Sequence, residues 1–144
     1  MGLPGFSQQH GIDFDETFSP VIKPSTIRVV LSLAVSSSWP IHQLDVKNAF
    51  LHGELQEEIY MQIPPGFNTV KTEGKVLKLR RSLYGLKQSP RAWFGRFRRA
   101  MIHIGYKQSN ADHTLFYKRN GEKLAILIVY VDDIVITGND VREI

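Results

Sequence analysis

The apolar positions of this chain change their spacing several times, and each change marks an element. Across residues 25–38, Ile27, Val30, Leu31, Ala34 and Val35 follow the i, i+3, i+4, i+7, i+8 spacing of a helix with one buried face, and Ser25 or Thr26 can cap it. A second helix opens at Ser89, with Pro90 suited to the first helical position and Gly105 just past the end. Its apolar stripe is Trp93, Phe94, Phe97, Met101 and Ile104, which predicts a core role for the aromatic residues. Arg91, Arg96, Arg98 and Arg99 fall mostly on the other faces.

Elsewhere the period shortens to two. After Trp39-Pro40, residues 41–46 read as a short strand, and residues 47–52 as a turn or short helix closed by Gly53. Residues 58–63 set Ile59, Met61 and Ile63 against Tyr60 and Gln62, and stop at Pro64-Pro65-Gly66; residues 75–79 alternate with Val76, and Leu77 or Leu79, inward. Residues 114–118 and 123–131 form two strands joined through Arg119-Asn120-Gly121-Glu122, a hairpin signal, and a strand over 134–137 follows. Pro4, Gly5, Gly11, Pro20 and Pro24 make residues 1–24 an extended, turn-rich lead-in. Helices mixed with largely antiparallel strands, without a βαβ rhythm, predict an α+β fold.

Composition excludes more than it assigns. The 144 residues are 42% hydrophobic and 22% charged, as in an ordinary globular domain. With no cysteine, thiol catalysis, Cys-ligated zinc and iron–sulfur clusters are ruled out. The apolar run at 124–131 is too short to span a bilayer, and the first ten residues lack a signal peptide's basic start and apolar core, so no membrane is expected as a partner. Net charge is +4, yet residues 74–111 hold ten Lys or Arg and no Asp or Glu. Such a block suits either a polyanion or solvent, and charge alone does not choose.

The candidate chemistry lies where Asp132-Asp133 interrupts the apolar run between Leu124 and Ile136. A buried carboxylate without a partner is costly, so the pair needs solvent, cations or protonation. An exposed Asp-Asp turn is the plain alternative, although it lacks the Gly that primed hairpin turns favour. Asp45 ends another short strand. If the strands are neighbours, Asp45 and Asp132 meet at one sheet edge despite a separation of 87 residues. Three carboxylates without Cys, and with the histidines scattered, favour Mg²⁺ or Mn²⁺ over zinc. Two such ions, about 3.5–4 Å apart, clamp the oxygens of a phosphoryl displacement, a chemistry that matches the basic block.

Longer blocks carry a more specific signal. The run Gln43-Leu44-Asp45-Val46-Lys47-Asn48-Ala49-Phe50-Leu51-His52-Gly53, the run Ser82-Leu83-Tyr84-Gly85-Leu86-Lys87-Gln88-Ser89-Pro90-Arg91-Ala92-Trp93-Phe94, and Tyr130-Val131-Asp132-Asp133 resemble the signature blocks of copia-type retrotransposon reverse transcriptases. Gly5-Phe6-Ser7-Gln8-Gln9, continued by residues 11–20, is similar to that family's fingers segment, and Pro64-Pro65-Gly66-Phe67 and Asp112-His113-Thr114-Leu115-Phe116 match in order. The likeness covers nearly the whole chain. It implies a partial right-hand polymerase over residues 1–144, fingers and palm with an antiparallel sheet and packed helices. The implied activity is that of an RNA-directed DNA polymerase of a Pol polyprotein, transferring nucleotides from dNTP to a primer 3′-OH, with two Mg²⁺ ions (or Mn²⁺), an RNA template and a DNA primer.

The resemblance also implies roles. Asp45, Asp132 and Asp133 would be the catalytic carboxylates and metal ligands, with the Val46 carbonyl as a further ligand. Phe50 falls where the family places an aromatic gate against a 2′-OH; an ordinary core Phe is the alternative. Gly85, Lys87 and Gln88 lie in the block that lines nucleotide and template, and Tyr130 would pack near the primer terminus. No Lys or Arg precedes Lys23, and the chain stops eleven residues after Asp133. Truncation at both ends is therefore expected, which makes the chain an incomplete fragment not expected to be active alone, with the thumb missing and the integrase and ribonuclease H regions elsewhere in the polyprotein. The family's compartment is a cytoplasmic particle. Two rivals stand beside this reading: a non-catalytic nucleic-acid-binding relic with a basic surface, and a two-metal nuclease, against which Phe50 argues because cleavage needs no sugar gate.

Overall fold

A computed structural model of the chain describes residues 8–9, 20–67 and 72–144. Most of the expected lead-in and of the fingers-like block lies outside these residues. Among them, helix α1 (Pro24–Ser36) is followed by strand β1 (Ile41–Asp45), a 3-10 turn (Ala49–His52), β2 (Tyr60–Gln62) and β3 (Val76–Lys78). Helix α2 (Ser89–His103), β4 (Lys107–Gln108), β5 (Leu115–Asn120), β6 (Lys123–Tyr130) and β7 (Asp133–Gly138) complete it. Five strands form one antiparallel sheet in the order β1-β7-β6-β5-β4, and β2 pairs with β3 separately. This is the mixed helical and antiparallel content that the sequence predicts.

The sheet carries a helix on each face, and β6 explains why its sequence is apolar throughout. Ala125, Leu127 and Val129 pack with Trp93, Phe94 and Phe97 of α2, while Ile126 and Ile128 pack with Val30 of α1 and with Ile22. A strand covered on both sides loses its alternation. Each Leu, Ile, Val or Phe among them taken out of water contributes about 1.5–3 kcal/mol.

Both helices stop by the same device. Trp39 N–H donates to the Ala34 carbonyl (2.8 Å) and Ser38 N–H to Val35 (3.1 Å), with Ser38 left-handed at φ 53°. At α2 the equivalent bonds run from Tyr106 to Met101 (2.9 Å) and from Gly105 to Ile102 (3.1 Å), with Gly105 at φ 92°.

Several expectations need correction. The buried stripe of α1 is narrower than predicted: Val30 and Ala34 are buried, but Leu31 and Val35 face outward. At α2, Ser89 is the first helical residue rather than the cap, and its hydroxyl donates to the Leu83 carbonyl (2.5 Å). Ile104 is exposed, and so are Val76 and Leu77 of β3, because among the described residues no second layer covers the β2-β3 ribbon there. Strand β4 was not anticipated; two residues carry no readable period.

Candidate active site

The hairpin between β6 and β7 sets the site. Tyr130 pairs with Asp133, so the two-residue turn is Val131-Asp132, not Asp132-Asp133 as the sequence suggested. Val131 takes φ 58° while Asp132 is not left-handed, the pattern of a type II′ turn. Glycine is the usual residue at that first position, and a β-branched side chain there is strained by about 1–3 kcal/mol.

On the other side of β7, Asp45 stands opposite Asp133. The strand period then places Gln43, Asp45, Tyr130 and Asp133 on one face of the sheet. Val46 N–H donates to the Asp132 carbonyl (3.0 Å), which ties the end of β1 directly to the turn. Asp45 was expected to meet Asp132; the register instead pairs it with Asp133, and the Val46 amide brings Asp132 to the same end of the sheet. Asp133 also accepts a hydrogen bond from Gln43 Nε2 (3.3 Å). Among the described residues, no Lys or Arg forms an ion pair with any of the three. Like charges directly opposite in a sheet cost about 0.2–1 kcal/mol.

An aromatic wall stands beside the carboxylates. Asn48, left-handed at φ 55°, turns the chain into the 3-10 turn that carries Phe50. The half-buried Phe50 ring meets Tyr84 with centroids 4.6 Å apart, and the Phe50 carbonyl accepts hydrogen bonds from Gly53 N–H and Ser82 Oγ. The Tyr84 hydroxyl is pushed above its usual pKa by partial desolvation and then by the negative charges of Asp132 and Asp45. The sequence shows Tyr84 only as a member of the block that runs from Ser82 to Phe94, and no period assigns it a place beside the carboxylates.

The remaining residues divide. Gly85 is left-handed at φ 93° within the loop before α2. Lys87 is exposed, whereas Gln88 is buried. Gln8 joins both: its Oε1 accepts from Lys87 N–H (3.0 Å) and its Nε2 donates to Gln88 Oε1 (3.0 Å). Tyr130 is half exposed. In the basic block, Arg96 and Arg99 pair with Glu54, Arg96 also donates to the His52 carbonyl, and Arg98 Nε donates to Gln108. These arginines bind the molecule's own chain, exposed contacts worth little individually.

The donors at the hairpin end suit a hard divalent cation: carboxylate oxygens and the Val46 carbonyl, which already accepts one bond from Ala49 N–H (3.0 Å) and has a second lone pair. Among the described residues, however, no three acidic, histidine or cysteine side chains stand close enough together to hold a metal ion. The carboxylates share one end of the sheet without forming a closed ligand set.

Comparison with known proteins agrees with the blocks in the sequence. The family model described as reverse transcriptase (RNA-dependent DNA polymerase) matches residues 2–144. The retrovirus-related Pol polyprotein from transposon RE1 of Arabidopsis thaliana is 52% identical over 136 residues, 94% of this chain and 9% of that protein. The corresponding polyprotein from transposon TNT 1-94 of Nicotiana tabacum is 50% identical over 139 residues, 96% of this chain and 10% of its own length. The transposon Ty1-ER2 Gag-Pol polyprotein of Saccharomyces cerevisiae is 28% identical over 145 residues, covering 95% of this chain and 8% of that protein. The chain therefore spans about a tenth of the length of these relatives. No solved structure matches it.

Proposed function

The chain belongs to the reverse transcriptase (RNA-dependent DNA polymerase) family, among the Pol polyproteins of copia-type retrotransposons, and on that premise we propose that its carboxylate-bearing sheet end is a nucleotidyl-transfer site. Residues 1–144 supply the fingers and palm of a right-hand polymerase. The observation that carries this reading is the register that sets Asp45 against Asp133, with the Val46 amide on the Asp132 carbonyl.

In the proposed reaction a primer 3′-OH attacks the α-phosphorus of a dNTP, a new phosphodiester bond forms, and pyrophosphate leaves. Mg²⁺ or Mn²⁺, when bound, supplies the positive charge that polarises the phosphoryl oxygens. Asp45, Asp132, Asp133 and the Val46 carbonyl would hold it, the carboxylates closing into a ligand set only when the ion binds. Phe50, backed by the Tyr84 ring, bars a 2′-OH. Gly85, Lys87 and Gln88 line the nucleotide and template side, and Tyr130 lies by the primer terminus. RNA template and DNA primer are the partners, with the integrase and ribonuclease H regions in the rest of the polyprotein.

Primer extension on an RNA template tests this. Joined to the remaining polymerase segments of a Pol polyprotein, the chain is expected to support extension with dNTPs and Mg²⁺, the Asp132→Asn/Asp133→Asn variant to fail, and Phe50→Val to admit ribonucleotides. Primer cleavage would point to a nuclease, and Mg²⁺-independent RNA binding without extension to a binding module. Either result overturns the proposal.

A further inference from the structure

Val131 is anchored at both of its backbone polar groups by segments that do not belong to its hairpin. Its N–H donates to the carbonyl of the buried Pro20 (2.9 Å), and its carbonyl accepts from the indole Nε1–H of Trp93 (3.2 Å). The carbonyl of Asp132 is held in turn by the Val46 amide. Both peptide planes that flank Asp132 are therefore fixed from outside the turn, one by α2 and one by the end of β1.

We infer that Trp93 is a positioning residue for the catalytic turn, through its indole N–H; this rests on the function proposed above. The type I′ and II′ hairpin turns differ by a flip of the central peptide. Here that is the Val131-Asp132 peptide, whose carbonyl the indole holds. In the flipped turn Asp132 would itself be left-handed and its side chain would leave the direction it now takes. The turn has no glycine to define its hand, so the partner does so instead. Trp93 is rigidly placed for this: it is 7% exposed, its ring meets Phe97 at 5.6 Å and His52 at 6.1 Å, and it lies on the helix that also supports the Phe50 turn. The same side chain thus couples the carboxylate turn to the aromatic wall.

The test replaces the donor and keeps the bulk. Trp93→Phe removes the N–H, and benzothienylalanine at position 93 keeps the bicyclic volume with sulfur in place of N–H. Amide ¹H–¹⁵N spectra of the full chain are compared with those of Met101→Ala, a core truncation two turns further along the same helix, away from the indole. The expected result is displaced or exchange-broadened signals at Val131, Asp132 and Asp133 in both position-93 variants and not in Met101→Ala. Mn²⁺ affinity, read by paramagnetic broadening, should fall about tenfold, the loss expected from one hydrogen bond. Unchanged signals at residues 131–133 in the benzothienylalanine protein overturn the inference. If the wild-type chain binds no Mn²⁺, the metal site of the proposed function fails instead, and the spectra still decide the role of Trp93.

Discussion

Asp112 shows how a carboxylate is used when the purpose is structural. It is buried and accepts hydrogen bonds from the Lys23 amide (3.0 Å), the Thr114 amide (3.0 Å) and the Thr114 hydroxyl (2.7 Å). Burial pushes its pKa up, but bonds from the Thr114 and Thr26 side chains and the two amides outweigh that and hold it at about 2, against 3.8 for an ordinary Asp. The folded-state value is depressed, so the stabilisation is complete above about pH 4 and is lost as pH falls toward 2, about 2 kcal/mol in all. Denaturant unfolding between pH 4.5 and pH 2 should show this slope, and Asp112→Asn should flatten it. The sequence displayed Asp112 only as part of a block. Its partner Lys23 is 89 residues away, a pairing that no local pattern encodes. Asp45, Asp132 and Asp133 were legible because strand-end carboxylates in apolar runs demand an explanation wherever they occur.

At the scale of elements, the 3-10 turn and α2 act as one piece. Gly53 follows the turn, and a Cβ there would run into Ser82 Oγ, the Trp93 backbone nitrogen and the Ala92 side chain. Gly53→Ala should therefore cost about 1–3 kcal/mol, as overpacked cores do, and thermal unfolding checks it. A Tm equal to the wild type's would mean that the turn can move away from α2. The sequence located both helices and six of the strands because the apolar period and the turn residues agree there. It erred at Leu31, Val35, Ile104 and Val76, where periodicity names an apolar face but cannot say whether a second layer covers it. It gave Trp93 a packing role only, since a hydrogen bond from an indole to a carbonyl 38 residues away leaves no trace in spacing.

At the scale of the whole molecule, among the described residues β1 lies at an edge of the sheet, exposing Ile41 and Leu44, and α1 turns Val29, Leu33 and Val35 outward. An edge strand of this kind is a template for pairing. The chain should associate with rising concentration in sedimentation velocity, and Ile41→Lys/Leu44→Lys should return it to a monomer. A wild-type chain that stays monomeric would count against this surface. Among the described residues no helix is long and apolar enough to cross a membrane.

The most direct measurement for the site is a Mn²⁺ titration followed by paramagnetic broadening of amide signals, because it does not depend on any other part of a polymerase. Broadening that begins at Asp45, Asp132 and Asp133 and disappears in Asp132→Asn is the result predicted. Broadening centred elsewhere, on Glu54 and Glu57 for example, or unchanged by that substitution, would contradict the assignment of these carboxylates as the catalytic site.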